Sequence, residues 1–437
     1  MKKILTGLGF MSLLLASCKQ DFVNPNQPTQ TQVYEVVRGI TSAAISLQRT
    51  YTLGRNGVVY NTIIAGGSLT NEFRLINQGN VDEFALFNGG GAVDNLNGIV
   101  NNLWIQCNKV VWEADNVLAA AAKLGDKNYA SGLIAYASVF KALSIGTMAT
   151  FWEQVPAAPG TVSSPATFQT RQAAFRRAVK VCDDALAAIN ANAISTSFAP
   201  NVPAGIDYIN TLNALKARYS LFAGDFSIAL AAANAVNLTV KSEFRYDGAV
   251  GVNNPIFETA TATNNVVQPI DSTLGLPGTT GNLQPDLADR RVPFYTVINT
   301  VALPRYRIAG FFTANAASIP IYLPDEMRLI KAECYLRQSS PDLTNAKNEI
   351  DAVLSQTPAA DPFGVGAQLP AYSGTVDAPS LLTEVYRNRC IELYMSGMRL
   401  EDNRRFNRPV AERKRTFFPY PFRERDNNPN TPADPAG

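Results

Sequence analysis

The chain has 437 residues, 46% of them hydrophobic, enough to bury a substantial core as one large domain or two. Its 38 basic residues against 36 acidic ones leave a formal net charge of +2, which gives no general electrostatic claim on nucleic acid or anionic lipid. There is no histidine, which excludes Ser-His-Asp and Cys-His catalysis and His-ligated metals.

Lys2 and Lys3 open the chain, an apolar run follows from Ile4 to Leu15, and Ala16-Ser17 precede Cys18. That is the order of a secretory signal, and its apolar run is too short to span a bilayer as a stable helix. No later uncharged apolar stretch is comparably long. Leu15-Ala16-Ser17-Cys18 reads as a bacterial lipobox, so residues 1–17 are expected to be cleaved and Cys18 to carry the lipid. An ordinary secretory signal that happens to end near a cysteine is the alternative. Several buried acyl chains, at about 0.8 kcal/mol per methylene, would make the attachment effectively permanent. Loss of Lys2 and Lys3 brings the charge balance to zero. Residues 18–32, polar and without apolar periodicity, read as a flexible tether.

From residue 33 to 437 the pattern predicts a single, mostly α domain. A first helix runs from about Tyr34 to Tyr51. The stretch from Thr52 to Asn97, rich in Asn and Gly, must be partly loop. Three amphipathic stripes follow: Leu103, Cys107, Val110, Val111, Ala114 and Leu118; Leu133, Tyr136, Phe140, Leu143 and Thr147; and Phe175, Val179, Cys182, Leu186 and Ile189. A fourth, Ile209, Leu212, Leu215, Tyr219 and Phe222, stops at Gly224-Asp225 before an Ala-rich helix from Phe226 to Val236. Helix, tight turn and helix form the repeat unit of a helical solenoid. Between about residues 237 and 319 this periodicity gives way to Gly, Pro, Asn and Thr with β-prone runs such as Val292 to Val297, an inserted loop-rich region. A second helical hairpin spans Leu323–Arg337 and Leu343–Leu354, and a last helix runs from about Leu381 to Met395. The tail after Pro409 reads as extended.

Cys107, Cys182, Cys334 and Cys390 form no CxxC pair, and each falls on the apolar stripe of a predicted helix, which favours buried inert thiols over disulfides. Asp183-Asp184 and Glu401-Asp402 are neighbours along helices. Adjacent helical side chains do not face each other, so neither pair resembles the opposed acid and base of a glycosidase; both read as solvated faces. Asp286 to Arg291, "DLADRR", reads as a turn held by ion pairs. Trp104, Trp112 and Trp152 read as core or interhelix packing. Glu392 with Arg399, and Glu384 with Arg387, sit at helical spacings that allow pairing. Arg399, Asp402 and Arg405 are expected to brace the end of the solenoid. No cofactor is called for.

Four stretches together resemble one known family, the SusD/RagB nutrient-uptake lipoproteins of Bacteroidetes. They are the lipobox with its tether; Leu103 to Pro156, ending on Phe151-Trp152-Glu153-Gln154-Val155-Pro156; Ala214 to Ala232, "ALKARYSLFAGDFSIALAA", with Pro324 to Leu336, "PDEMRLIKAECYL"; and Val385 to Arg408, "VYRNRCIELYMSGMRLEDNRRFNR". The chain departs from the family at Met395-Ser396-Gly397, where an acid is usual, and at Asn403, where a hydrophobic residue is common. It looks like a short, divergent member. The resemblance implies a mostly α, tetratricopeptide-like helical-hairpin solenoid and a non-enzymatic lipoprotein of the outer membrane, exposed at the cell surface, that captures an oligosaccharide or a peptide and lids a SusC-like TonB-dependent transporter.

Sugars are held by aromatic faces and by planar amides, carboxylates or guanidinia that bond to hydroxyl pairs. Two loop regions carry that mixture. The first contains Arg74, Asn77, Asp82, Phe87, Asn88 and Asn95, near which the resemblance also places ligand contacts. The second contains Phe244, Tyr246, Asn253, Asn254, Phe257, Tyr295, Tyr306 and Phe311. The expected function is glycan capture. A peptide-capturing member of the family, an extracellular glycoside hydrolase and a periplasmic helical scaffold are the alternatives.

Overall fold

The computed structural model describes residues 30–249, 251–278 and 283–436; the signal, Cys18 and most of the tether lie outside them. The N-terminal helix begins as a short segment, α1 (Gln30–Glu35), followed by α2 (Val37–Thr52). The segment expected to be partly loop contains a full helix, α3 (Val58–Leu69), then strand β1 (Phe73–Leu75) and helix α4 (Val81–Asn88). Nearly every residue of α3 is buried. A helix that is apolar all round has no single stripe, and Gly66-Gly67 weaken its propensity further. Those glycines are required: a Cβ on Gly66 would stand 2.5 Å from Gly397 Cα.

The solenoid follows the predicted periodicity. Helices α5 (Gly98–Ala121), α6 (Lys127–Phe151), α7 (Arg171–Ala191), α8 (Tyr208–Ala223) and α9 (Phe226–Asn234) pack as successive hairpins. The starts of α5 to α8 are capped by side-chain oxygens, Asn97 on the Ile99 and Val100 amides, Asp126 on Tyr129, Thr170 on Ala173 and Asp207 on Asn210. Gly224, at φ +84°, ends α8 in the left-handed conformation that suits glycine. Two details differ from expectation. Helix α6 is long and apolar enough to cross a membrane, but 89% of its most apolar window is buried inside the fold. Ile209 is 50% exposed rather than part of the core stripe.

Short antiparallel ladders join the segments between the helices, and one of them, β1–β5, ties the insertion to the segment after α3. β2 (Gln154–Pro156) pairs with β3 (Phe168–Thr170), and β4 (Glu243–Phe244) with β8 (Ile319–Pro320). β5 (Val267–Pro269) pairs with β1, and β6 (Thr296–Ile298) with β7 (Tyr306–Ile308). The run expected to be β-prone is helical over α10 (Arg291–Tyr295) and becomes strand only at Thr296. The helical spacing of Arg291 and Tyr295 sends both side chains inward, to Asp289 and Asn388 and to the Glu392 carbonyl.

The C-terminal part begins with α11 (Pro324–Leu336) and α12 (Leu343–Ser355). The last long helix, α13 (Ala378–Glu392), ends three residues before its predicted limit, and Met395 (φ +61°) and Gly397 (φ +80°) turn the chain into α14 (Arg399–Arg405). Glu392 and Arg399 therefore do not pair: Glu392 accepts from Arg291 at 3.3 Å, and Arg399 reaches Glu72 at 3.1 Å. Arg387 does meet Glu384, at 3.3 Å. The tail is not extended. Phe418 and Tyr420 are buried, Trp152 donates to the Pro419 carbonyl, and helix α15 (Phe422–Asn427) follows. All four described cysteines are free and buried.

Glu401 and Asp402, expected on a solvated face, are each 1% exposed. Arg404 and Arg171 hold Glu401, and Arg389 and Arg405 hold Asp402. Arg405 spans to α11, where it forks onto Glu333 at 2.8 and 2.9 Å. Burial alone would raise the Glu333 pKa; Arg405 and Arg337 outweigh it and hold the carboxyl at about 2. Among the aromatics, Trp104 and Trp152 meet edge to face at 4.9 Å in the core, whereas Trp112 is 45% exposed, against expectation.

Candidate functional site

The β1–β5 ladder brings the first expected ligand region against the insertion. On β1 the side chains alternate, Phe73 buried and Arg74 exposed, with Arg74 opposite Gln268 of β5. The ladder extends by one bond, Ile76 N to the Val266 carbonyl. Residues 77–80 then turn into α4: Asn80 N donates to the Asn77 carbonyl, and Asn77 Oδ1 accepts from Gly79 N, an Asx turn. This leaves a row of planar side chains at the surface. Asn77 Nδ2 donates to Asn265 Oδ1 at 2.8 Å, and Asn80 Nδ2 to the Asn265 carbonyl at 3.0 Å. Arg55 Nη2 donates to Asn80 Oδ1 at 3.2 Å and to Glu83 Oε1 at 2.5 Å. Beside it, Asn102 Nδ2 donates to Asn56 Oδ1 at 3.3 Å.

Glu83 is the buried anchor of this ledge, 1% exposed, and also accepts from Tyr60 Oη at 3.0 Å. Burial and the nearby Glu83 carboxylate push the Tyr60 hydroxyl above the usual phenol range, so it remains a donor. Arg55 is thereby fixed from below while its side chain stays 47% exposed. Arg55 and the three amides, held by one another and reached by solvent, keep donor and acceptor capacity for hydroxyl or amide groups of a ligand, with exposed Arg74 beside them.

The other residues singled out from sequence divide plainly. Asp82 accepts from Gly98 N at 2.8 Å, and its carbonyl accepts from Asn97 Nδ2, so it braces the start of α5. Phe87 is half-buried beneath the Lys414 ammonium, 3.9 Å from the ring centroid, and burial lowers that lysine to about 8. Asn88 is exposed at the end of α4. The Asn95 carbonyl accepts from Asn101 Nδ2 and Phe422 N. Tyr246 is buried, with its hydroxyl on the Thr52 carbonyl, and Tyr295 is buried, 2.6 Å from the Glu392 carbonyl. Phe244 stacks on Phe140, and Asn254 is wholly buried on the carbonyls of Phe311 and Ala317. The second expected region is thus mostly core. Arg55, Asn80 and Asn265 were not singled out, and the Asn264-Asn265 pair was their one visible signal.

Two cavities offer less. One, of about 140 Å³, lies among Tyr51, Phe151, Tyr219 and Tyr295 and is small beside ordinary ligand pockets of roughly 300–1,000 Å³. The other, of about 320 Å³, is lined by Tyr386, Arg399 and Asn403. These three side chains are engaged elsewhere: Tyr386 on Asn403, Asn403 on the Glu412 carbonyl, and Arg399 on the carbonyls of Leu274 and Cys390. Among the described residues no group of three or more acids and cysteines is placed to hold a metal ion.

No family model matches the chain, and no curated protein does. Solved structures match it almost end to end. A SusD-like carbohydrate-binding protein from Bacteroides fragilis is 15% identical, with 91% of this chain and 99% of that one covered at a TM-score of 0.70. The fold is that of the SusD superfamily. A SusD superfamily protein from Bacteroides thetaiotaomicron gives the same identity, coverage and TM-score. A laminarin-binding SusD-like protein is 14% identical, with 94% of this chain and 100% of that one covered at a TM-score of 0.63. The SusD-like fold accounts for the order of helical hairpins, insertion and C-terminal turn that the motifs outlined.

Proposed function

We propose that this chain captures oligosaccharides without cleaving them, and that the ligand lies on the ledge of Arg55, Arg74, Asn77, Asn80 and Asn265. The observation that carries this reading is the interlocked row of Arg55, Asn80, Asn77 and Asn265, joined across the β1–β5 ladder, anchored on buried Glu83 and flanked by exposed Arg74. Paired planar donors and acceptors suit the vicinal hydroxyls of sugars. Likeness to a carbohydrate-binding and a laminarin-binding protein supports the same ligand class. Neither adjacent acid pair is a free catalytic pair: Asp183 is bound to Lys216, Asp184 to Lys180, and Glu401 and Asp402 are buried in ion pairs. In this reading Cys18 carries the lipid, the chain sits on the outer membrane facing outward, and it closes over a SusC-like TonB-dependent transporter.

Titration calorimetry with laminarin and a panel of soluble α- and β-glucans tests the ligand. Binding by the native chain that the double substitution N77A/N265A abolishes, with unchanged folding, is the expected result. Retention of peptides and of no glycan would overturn it. Protease accessibility on intact cells tests the outward-facing location, and co-purification with a TonB-dependent transporter tests the partner.

A further inference from the structure

The ledge does not stop at Arg55. Asn56 accepts from Asn102 in the first turns of α5, and from there one stripe of that helix faces solvent. Asn102, Ile105, Lys109, Trp112 and Asn116 recur at intervals of three and four, so they lie on one face, and each is exposed or half-buried. Ile105 is 42% and Trp112 45% exposed. At 1.5 Å per residue, Trp112 stands about 15 Å along the helix from Asn102. Asn116 Nδ2 is tied to the Trp112 carbonyl, and Tyr34 bonds Glu113 beside it, so the helix surface around the ring is fixed. The other two tryptophans of the chain are buried against each other. An indole left half in water, with an amide at each end of its stripe and a hydrogen-bonded link to the ledge, has the features of a sugar-stacking platform.

We propose that Trp112 is a second subsite of the same binding surface, on which a distal ring of an extended oligosaccharide stacks after its nearer units have bonded to the ledge. This rests on the glycan reading above and adds a length requirement to it. Short ligands fill the ledge alone. Longer ones also cover Ile105 and Trp112.

The chain itself supplies the probe, because Trp112 is the one tryptophan open to a quencher. Acrylamide quenching and calorimetry are run on the native chain, W112A and N77A/N265A with α- and β-glucan ladders from disaccharide to octasaccharide. The expected result is protection of Trp112 by the long members only. W112A should lose about tenfold in affinity for the octasaccharide and less than about twofold for the disaccharide, while N77A/N265A weakens both. Long glycans that bind the ledge without protecting Trp112, and with W112A unaffected, would overturn this inference and leave the ledge standing. No glycan bound at any length would overturn both. Protection by a transporter and by no oligosaccharide would make the stripe a protein-docking face and overturn the inference as well.

Discussion

The junction of α11, α13 and α14 and the ledge beside β1 are built from overlapping groups, guanidinia, amides and carboxylates, yet one is sealed and the other open. At the junction Glu333, Asp402 and Arg389 are each 1% exposed or less, and Arg389 and Arg405 meet Asp402 and Glu333 inside the fold. At the ledge Arg74, Asn77 and Arg55 face water, and the buried charge beneath them is Glu83. Burial decides the role. A buried charge must be answered by its neighbours to be tolerated, whereas an exposed, pre-oriented one retains bonding capacity for a ligand.

Substitution at the junction is the strongest way to separate the two regions. R405A removes the fork from buried Glu333 and one of the two arginines from buried Asp402 and should cost about 3–5 kcal/mol in urea unfolding. R74A at the ledge should change stability by less than about 0.5 kcal/mol.

A pH series probes the buried charges from the other side. Burial raises Asp325 to about 7, against the opposing pull of Arg328 and with Asp361 adding to the rise; Glu392 beside it is raised as well, first by its own burial. A carboxyl raised in the fold stabilises most fully below its ordinary range near 4, and that contribution is lost as pH rises through about 7. Glu333 runs the opposite way: its stabilising effect is present above about 4.5 and is lost as pH falls through about 2. The melting temperature should therefore decline between about pH 5 and pH 8, and D325N should flatten that slope.

Y295F deletes one buried hydrogen bond and should cost about 1 kcal/mol in thermal unfolding while leaving glycan affinity unchanged. N77A is the mirror case, with a shift in stability under about 0.5 kcal/mol and a roughly five- to tenfold loss of glycan affinity by calorimetry. If Y295F weakened binding as N77A does, the distinction between core and ledge would collapse.

Much of the helical frame was legible because an amphipathic stripe is a local signal: α5, α6, α7 and α8 begin and end close to their periodic residues. Helix α3 was hidden because it is buried on all sides, and the length of α13 was overread because the left-handed turn at Met395 is not glycine-marked until Gly397. Glu401-Asp402 read as solvent-facing because pairing with Arg171 and Arg389 is set by tertiary contact. For the same reason the ledge was half visible. Arg74 and Asn77 stood out by residue type, but Asn265 lies 188 residues from Asn77 and joins it only through β1–β5 pairing. Tyr246 and Tyr295 looked like ligand platforms because their segments have loop composition; the insertion folds back and spends those rings on its own core.

The most direct test of the account is a crystal structure of the chain with a bound oligosaccharide. Sugar hydroxyls are expected within hydrogen-bonding distance of Asn77, Asn265 and Arg74, with Tyr295 still bonded to the Glu392 carbonyl. A ligand seated instead in the cavity beside Tyr386 and Arg399, with the ledge left free, would contradict it.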